Sequence, residues 1–264
     1  MDFNLSGKVA IVTGGSAGIG LACAKALYQE GVNLAIVARD PSKLEQAVQR
    51  IHACASVPAK VIAVPADLTQ TESAEQLVST VLHQFGHIDI LINNAGAPRV
   101  GSFLDLDDSA YLDTWNLKPL GYIRLVKAVV PSMIERQDGR IVNIIGSAGR
   151  TPGANFLPGG MSNAALLNFT RGVSKELARY NIRISAISPG FTATDRANHL
   201  AEKNSQARGI SLEDAKAELV QSIPLGRLVD PDHIAAMTVF LVSDLAASIT
   251  GTEILIDGGF TPGM

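Results

Sequence analysis

The stretch Thr13-Gly-Gly-Ser-Ala-Gly-Ile-Gly20 directly follows the apolar run Val9-Ala-Ile-Val12 and opens a segment of helical length. In that context a glycine-rich turn lets backbone N–H groups close on a pyrophosphate at a helix N-terminus. Gly14, Gly18 and Gly20 would serve the tight turn, the close phosphate approach and the packing of helix on strand, all roles that a side chain obstructs. Ser16 and Ile19 complete the cradle. The end of the next apolar run chooses between dinucleotides, because an acidic residue there bonds ribose hydroxyls whereas an arginine can pair with a 2′-phosphate. Ala38-Arg39 ends that run. Arg39 therefore favours NADP(H) over NAD(H), although no second basic residue supports it in the glycine turn, where Ala17 stands. Asp40 lies next door, but Pro41 after it makes it a better helix cap than a ribose ligand.

These residues need a scaffold, and the rest of the chain has the pattern of one. Short β-branched runs recur at Val9-Ala-Ile-Val12, Asn33-Leu-Ala-Ile-Val37, Lys60-Val-Ile-Ala-Val64, Ile88-Asp-Ile-Leu-Ile92, Arg140-Ile-Val-Asn-Ile-Ile145, Ile182-Arg-Ile-Ser-Ala-Ile187 and Glu253-Ile-Leu-Ile256. Amphipathic stretches at 20–30, 42–53, 71–85, 109–136, 161–180 and 231–242 separate them. Alternation of this kind predicts an α/β fold, a doubly wound, Rossmann-type parallel sheet of about seven strands with helices on both faces. No repeat, linker or low-complexity tract divides residues 1–264, so one domain is expected. The polar segment 197–225 is read as helices forming a lid over the site.

Bulk properties exclude several classes. A net charge of -3 provides no basic surplus for a phosphate backbone, so nucleic acid is not expected as a partner. Cys23 and Cys54 match no metal spacing and no metal is expected; two free thiols suit a reducing compartment. With no bilayer-length apolar run and no signal-like start, a soluble, cytoplasmic protein that does not engage membranes is expected.

The glycine spacing together with Asn93-Asn-Ala-Gly96 resembles the short-chain dehydrogenase/reductase family, and the resemblance extends over nearly the whole chain. It implies that Asn93, Ala95 and Gly96 border the cofactor, that Asp67 and Leu68 lie near the adenine, and that Pro189, Gly190 and Thr194 form the nicotinamide-side loop. It further implies that Asn116 is the asparagine of the long fourth helix, that Ser147 is the catalytic serine, and that Asp257-Gly-Gly259 closes the last strand. Residues alone give plainer roles: Asp67 as a cap near Thr69, Asn93 as a brace of the sheet, Asp257 as a turn former and Ser147 as a brace of its loop.

The family's proton relay, a tyrosine with a lysine one helical turn on, should fall in Phe156-Leu-Pro-Gly-Gly-Met-Ser-Asn-Ala-Ala-Leu166. Neither residue is there. Counting back from Ala164-Ala-Leu166 puts Gly159 and Asn163 at the two positions, whereas counting forward from Ser147 puts Gly160 and Ala164 there. Glycine has no proton to give and asparagine has no charge. The reading is an NAD(P)(H)-dependent oxidoreductase acting on a small carbonyl or alcohol compound, with Ser147, Asn116 and Asn163 as catalytic candidates and Asn163 also a candidate ligand of the cofactor ribose. A water or substrate group would supply the proton. The alternatives are a non-redox lyase or hydrolase on the same fold, and an inactive dinucleotide-binding regulator. Arg99 and Arg150 leave strand ends where ligands bind, and are read as solvated surface. The family further implies a homo-oligomer, dimer or tetramer, packed through the helices at 109–136 and 161–180.

Overall fold

The computed structural model describes residues 2–262. Alternate residues of a strand face opposite sides of a sheet, so a run apolar at every position is stable only with cover above and below. In the strands Val9–Thr13 (β1) and Asn33–Ala38 (β2), Val12 and Ile36 enter one core, while Ile11 and Val37 enter the other. Val61–Pro65 (β3), Ile90–Asn93 (β4), Gly139–Ile144 (β5), Ile182–Pro189 (β6) and Glu253–Ile256 (β7) complete one seven-stranded sheet. Its order is β3-β2-β1-β4-β5-β6-β7, and every neighbouring pair is parallel. The expected doubly wound fold is what forms. Strand order reverses between β1 and β4, and the crevice beyond their carboxyl ends is where ligands of such sheets bind.

Helices Gly18–Gln29 (α1), Pro41–His52 (α2), Thr71–Phe85 (α3), Asp108–Trp115 (α4), Gly121–Arg136 (α5), Leu157–Leu177 (α6), Asp195–Arg208 (α7), Leu212–Gln221 (α8) and Pro231–Val242 (α9) connect the strands. Leu27, Leu44 and Val239 place α1, α2 and α9 on one face; Leu77, Leu125 and Leu177 place α3, α5 and α6 on the other. Asp40 caps α2 by accepting from Lys43 N at 3.2 Å. Asp230 does the same for α9 through Asp232 N at 2.9 Å.

The sequence pattern predicts one helix over 109–136, and the structure breaks it. Trp115 ends α4, residues Asn116–Leu120 form a π-helical turn, and α5 starts at Gly121. Pro119 lies inside that turn. Proline has no N–H for the i→i−4 ladder and its ring crowds the preceding turn, and a π-turn absorbs the disruption by taking in an extra residue. The insertion rotates everything before it relative to α5, with consequences for the site.

No helix among the described residues is long and apolar enough to cross a membrane. Nor do three or more His, Cys, Asp or Glu side chains among them gather as a metal site. Cys23 and Cys54 are free.

Asp89, 1% exposed, ties the sheet to α5. It accepts Val9 N at 2.8 Å and lies 3.1 Å from His87, 3.3 Å from Arg136 and 3.7 Å from Lys8. Lys8 and Arg136 reach water, so removing the carboxylate strands chiefly the buried Val9 N–H. Asp89→Ala is expected to cost about 2–3 kcal/mol, read as a lower urea midpoint at unchanged slope.

Candidate active site

The glycine turn is built for an anion. Ala17, the N-cap of α1, offers no side-chain hydrogen bond, and the first turn carries no acid. The N–H groups of Gly18, Ile19 and Gly20 are thus left to a ligand at the positive end of the helix. Gly14 and Gly18 have φ of +64° and +52°, and a Cβ on Gly20 would stand 2.2 Å from Gly14 O. Helix and turn touch with no room for a methyl group. This is the fit a pyrophosphate requires, and it is the local argument for a dinucleotide here.

What holds the turn is a pair of residues the sequence reading passed over. Thr13 Oγ1 accepts Asn94 N at 2.8 Å and Ala95 N at 3.1 Å, while Asn94 Nδ2 donates to Thr13 O at 3.1 Å and to Gly14 O at 3.4 Å. Asn93 points the other way. Its Nδ2 donates to Asn143 Oδ1 at 3.0 Å in the buried sheet, the bracing role. Strand alternation was the available signal: of two successive asparagines at a strand end, only one can face the turn.

Beyond β2, Arg39 is exposed and Asp40 is committed to the α2 cap. Asp67 Oδ1 accepts Thr69 N at 3.1 Å and the Thr69 hydroxyl at 2.9 Å. The backbone N–H of Thr69 is the main reason its carboxyl sits below the usual range; the hydroxyl and the charge of Arg39 add to it. Leu68 beside it is buried.

At the other end of the crevice, Ser147 opens a short 3₁₀ turn after β5 and is 7% exposed. Gly146 before it has φ +135°, and a Cβ there would lie 2.8 Å from Asn163 Nδ2. That close approach brings α6 against the serine turn. Asn163 is 3% exposed and faces the turn, whereas Ala164 is exposed on α6. Four residues earlier, the Phe156 ring packs on Gly159: a Cβ at Gly159 would meet ring carbon Cζ at 2.3 Å. A Cβ on Gly160 would instead point at Ala148 O, 3.1 Å away.

Asn116 does not join this group. Its Oδ1 accepts Arg124 Nη2 at 2.9 Å, on the side where Arg124 also reaches the carbonyls of Leu68 and Thr69. The π-turn sends Lys118 to the site instead. Lys118 Nζ donates to Asn163 Oδ1 at 2.7 Å and to Ile145 O at 2.5 Å, in a buried position. Burial pushes its pKa down to about 7, and the Arg196 charge pushes in the same direction. A proline within a predicted helix was the one sequence signal of the shift, but it does not say which side chain is turned inward.

The loop after β6 closes the crevice. A Cβ on Gly190 would fall 2.8 Å from Asp257 Cα, so Pro189-Gly190 lies directly on the end of β7. Asp257 accepts Gly259 N at 3.0 Å and Thr261 N at 2.9 Å and closes a turn. The Thr194 methyl stands 3.4 Å from where a Gly18 Cβ would be, across from the phosphate turn. Arg196 Nη1 reaches Gly96 O at 3.5 Å, and Gly96 in turn packs against Lys118, whose Cδ would be 3.1 Å from an added Cβ. Arg99 and Arg150 are both engaged by protein carboxylates, Asp107 at 3.5 Å and Glu253 at 2.5 Å.

Residues 14–261 match the family model described as enoyl-(acyl carrier protein) reductase. The chain is 34% identical over 257 residues to the NADPH-dependent reductase BacG of Bacillus subtilis, covering 97% of this chain and 98% of that protein. To the 3-oxoacyl-[acyl-carrier-protein] reductase FabG of Thermotoga maritima it is 33% identical over 258 residues, 97% and 98% of the two chains. The crystal structure of L-sorbose reductase from Gluconobacter frateurii, complexed with NADPH and L-sorbose, superposes with a TM-score of 0.94 at 29% identity, covering 100% of each chain.

Gly20→Ala forces its methyl into Gly14 O. The expected outcome is a folded protein whose dinucleotide Kd, followed by nicotinamide fluorescence, rises on the order of tenfold or more, equivalent to about 1.4 kcal/mol.

Proposed function

We propose that this chain, which belongs to the short-chain dehydrogenase/reductase family, is an NADPH-dependent reductase of a small carbonyl compound with an atypical active site. The observation that carries the reading is the uncapped N-terminus of α1 in a turn too tight for side chains, which packs on Asn94 and Ala95 and is joined through Gly96 to buried Lys118 and Asn163. NADPH supplies a hydride when bound.

The chain's own residues do the rest. The amides of Gly18, Ile19 and Gly20 take the pyrophosphate, and Arg39 pairs with the 2′-phosphate. The choice of NADP(H) is supported by the commitment of Asp40 to the α2 cap and by the exposed Arg39 at the end of β2. Two relatives described as NADPH-dependent or NADPH-bound reductases point the same way. Ser147 orients the carbonyl oxygen, an oxyanion-type role. Asn163 stands in for the family's lysine: its Oδ1 is used by Lys118, and its Nδ2 remains to donate to a ribose hydroxyl. Gly159 stands where the family has its tyrosine, with the Phe156 ring packed over it. Phe156, Leu157 and Phe191 give the substrate side an apolar wall, over which α7 and α8 act as the lid.

Titration with NADPH and NADH by nicotinamide fluorescence, then absorbance loss on adding a carbonyl panel, tests the reading. Tighter NADPH binding and its consumption are expected; binding with no consumption of either nucleotide, and no reverse reaction with alcohols, overturns it. Arg39→Ala removes a charge-assisted contact of about 1.5–3 kcal/mol, so NADPH affinity should fall about 10- to 100-fold while NADH affinity stays level. Exposed Leu112, Leu120 and Met161 support self-association through α4 to α6. Light scattering should give a dimer or tetramer.

A further inference from the structure

Lysine is almost never fully buried without a partner charge, because desolvating an ammonium is costly. Lys118 is 8% exposed, and among the described residues it forms no ion pair. Its two acceptors, Ile145 O and Asn163 Oδ1, are both neutral. It is carried by a π-turn, a feature that recurs at functional sites, and the glycine at 96 lets its stem pack against the backbone after β4. An ammonium has three N–H donors, and these two bonds leave one over.

We propose that Lys118 is the proton donor of this site: the remaining N–H of its ammonium, steadied by Asn163 and Ile145, passes its proton to the substrate carbonyl oxygen. This deepens the reductase reading and rests on it. In the balanced step, hydride from the reduced nicotinamide forms the new C–H bond and the C=O π pair moves onto oxygen. That oxygen takes the proton from Nζ. The products are the alcohol, the oxidised nicotinamide and neutral Lys118, which solvent reprotonates. A cation moved from α6 to the π-turn thereby combines what the family divides between tyrosine and lysine.

The other buried titratable groups are otherwise committed. Tyr122 donates to Ile144 O at 3.0 Å and burial raises its pKa, Asp257 closes a turn, and Cys23 lies under α9 against Thr238. The charge that acts on Lys118 is the Arg196 guanidinium from α7; α6 presents neutral Asn163, and the end of β5 presents a carbonyl. The amine is poised near neutrality, with a pKa of about 7 set first by burial and then by Arg196. Carbonyl reduction needs the protonated amine, so its rate falls as pH rises through about 7, whereas alcohol oxidation needs the neutral amine and rises over the same range.

Lys118→Met keeps the buried stem and removes the charge, a change that buried sites commonly tolerate. It is expected to fold and to bind NADPH, to lose about 10²- to 10⁴-fold in carbonyl reduction, and to lose the pH limb. A readout independent of turnover is the ε-carbon NMR signal of ¹³C-labelled lysine that disappears in the variant. In the wild-type protein it should titrate near 7 rather than at the ordinary 10.5, and shift on adding NADP⁺. Full turnover with an unchanged pH limb in Lys118→Met, or a signal titrating near 10.5, overturns the assignment while leaving the reductase reading intact. A wild-type protein that reduces no carbonyl overturns the reductase reading itself, and with it the donor role.

Discussion

The Thr13 hydroxyl sits where the order of strands reverses, and accepts two backbone amides from the end of β4 while Asn94 returns hydrogen bonds to the end of β1. A parallel sheet leaves its strand ends without ladder partners just where connections diverge to opposite faces. The clamp carries the β1–β4 pairing past its last ladder pair, Val12 with Ile92, and so holds the turn at Gly14 against the end of β4. The glycines then follow as a steric consequence. Gly14 is pressed on Asn94 and Gly20 on Gly14, so a Cβ at the first displaces the Asn94 amide and a Cβ at the second displaces the turn.

The other end of the crevice follows a second constraint, the extra residue at Asn116–Leu120. A regular helix there would keep residues 116 and 118 about 200° apart around the axis, and at most one could face Asn163 on α6. The π-turn gives the place to Lys118 and hands Asn116 to Arg124. Asn163 and Lys118 then make one unit: a neutral amide on α6 holds a cation contributed from the α4–α5 junction. The cost of burying that cation is lowered by two good acceptors and by the ease with which it gives up its proton.

Much of the fold was legible in the chain because it rests on local patterns. Seven β-branched runs became seven strands, and Asp40-Pro41 started a helix as its side-chain cap. The glycine turn was also legible, since strand, glycines and helix are contiguous. Pairwise matches fared less well. Asn93 and Asn94 are adjacent and chemically identical, yet one braces β5 and the other holds the turn. Arg99 is the solvated surface residue it was read as, in an exposed pair with Asp107, whereas Arg150 found the buried side chain of Glu253, which no local pattern connects to it.

The sequence by itself determined the sheet, its helical cover and the phosphate turn, because hydrophobic periodicity and glycine sterics act within a few residues of their cause. It also determined that no tyrosine or lysine stands between Phe156 and Leu166. Only the tertiary structure decided that Asn163 rather than Ala164 is buried against the Gly146 turn, and that Lys118 rather than Asn116 bonds it. Those choices turn on the rotation of α4 against α5 and the depth at which α6 docks on Gly146, quantities fixed by contacts between residues distant in the chain.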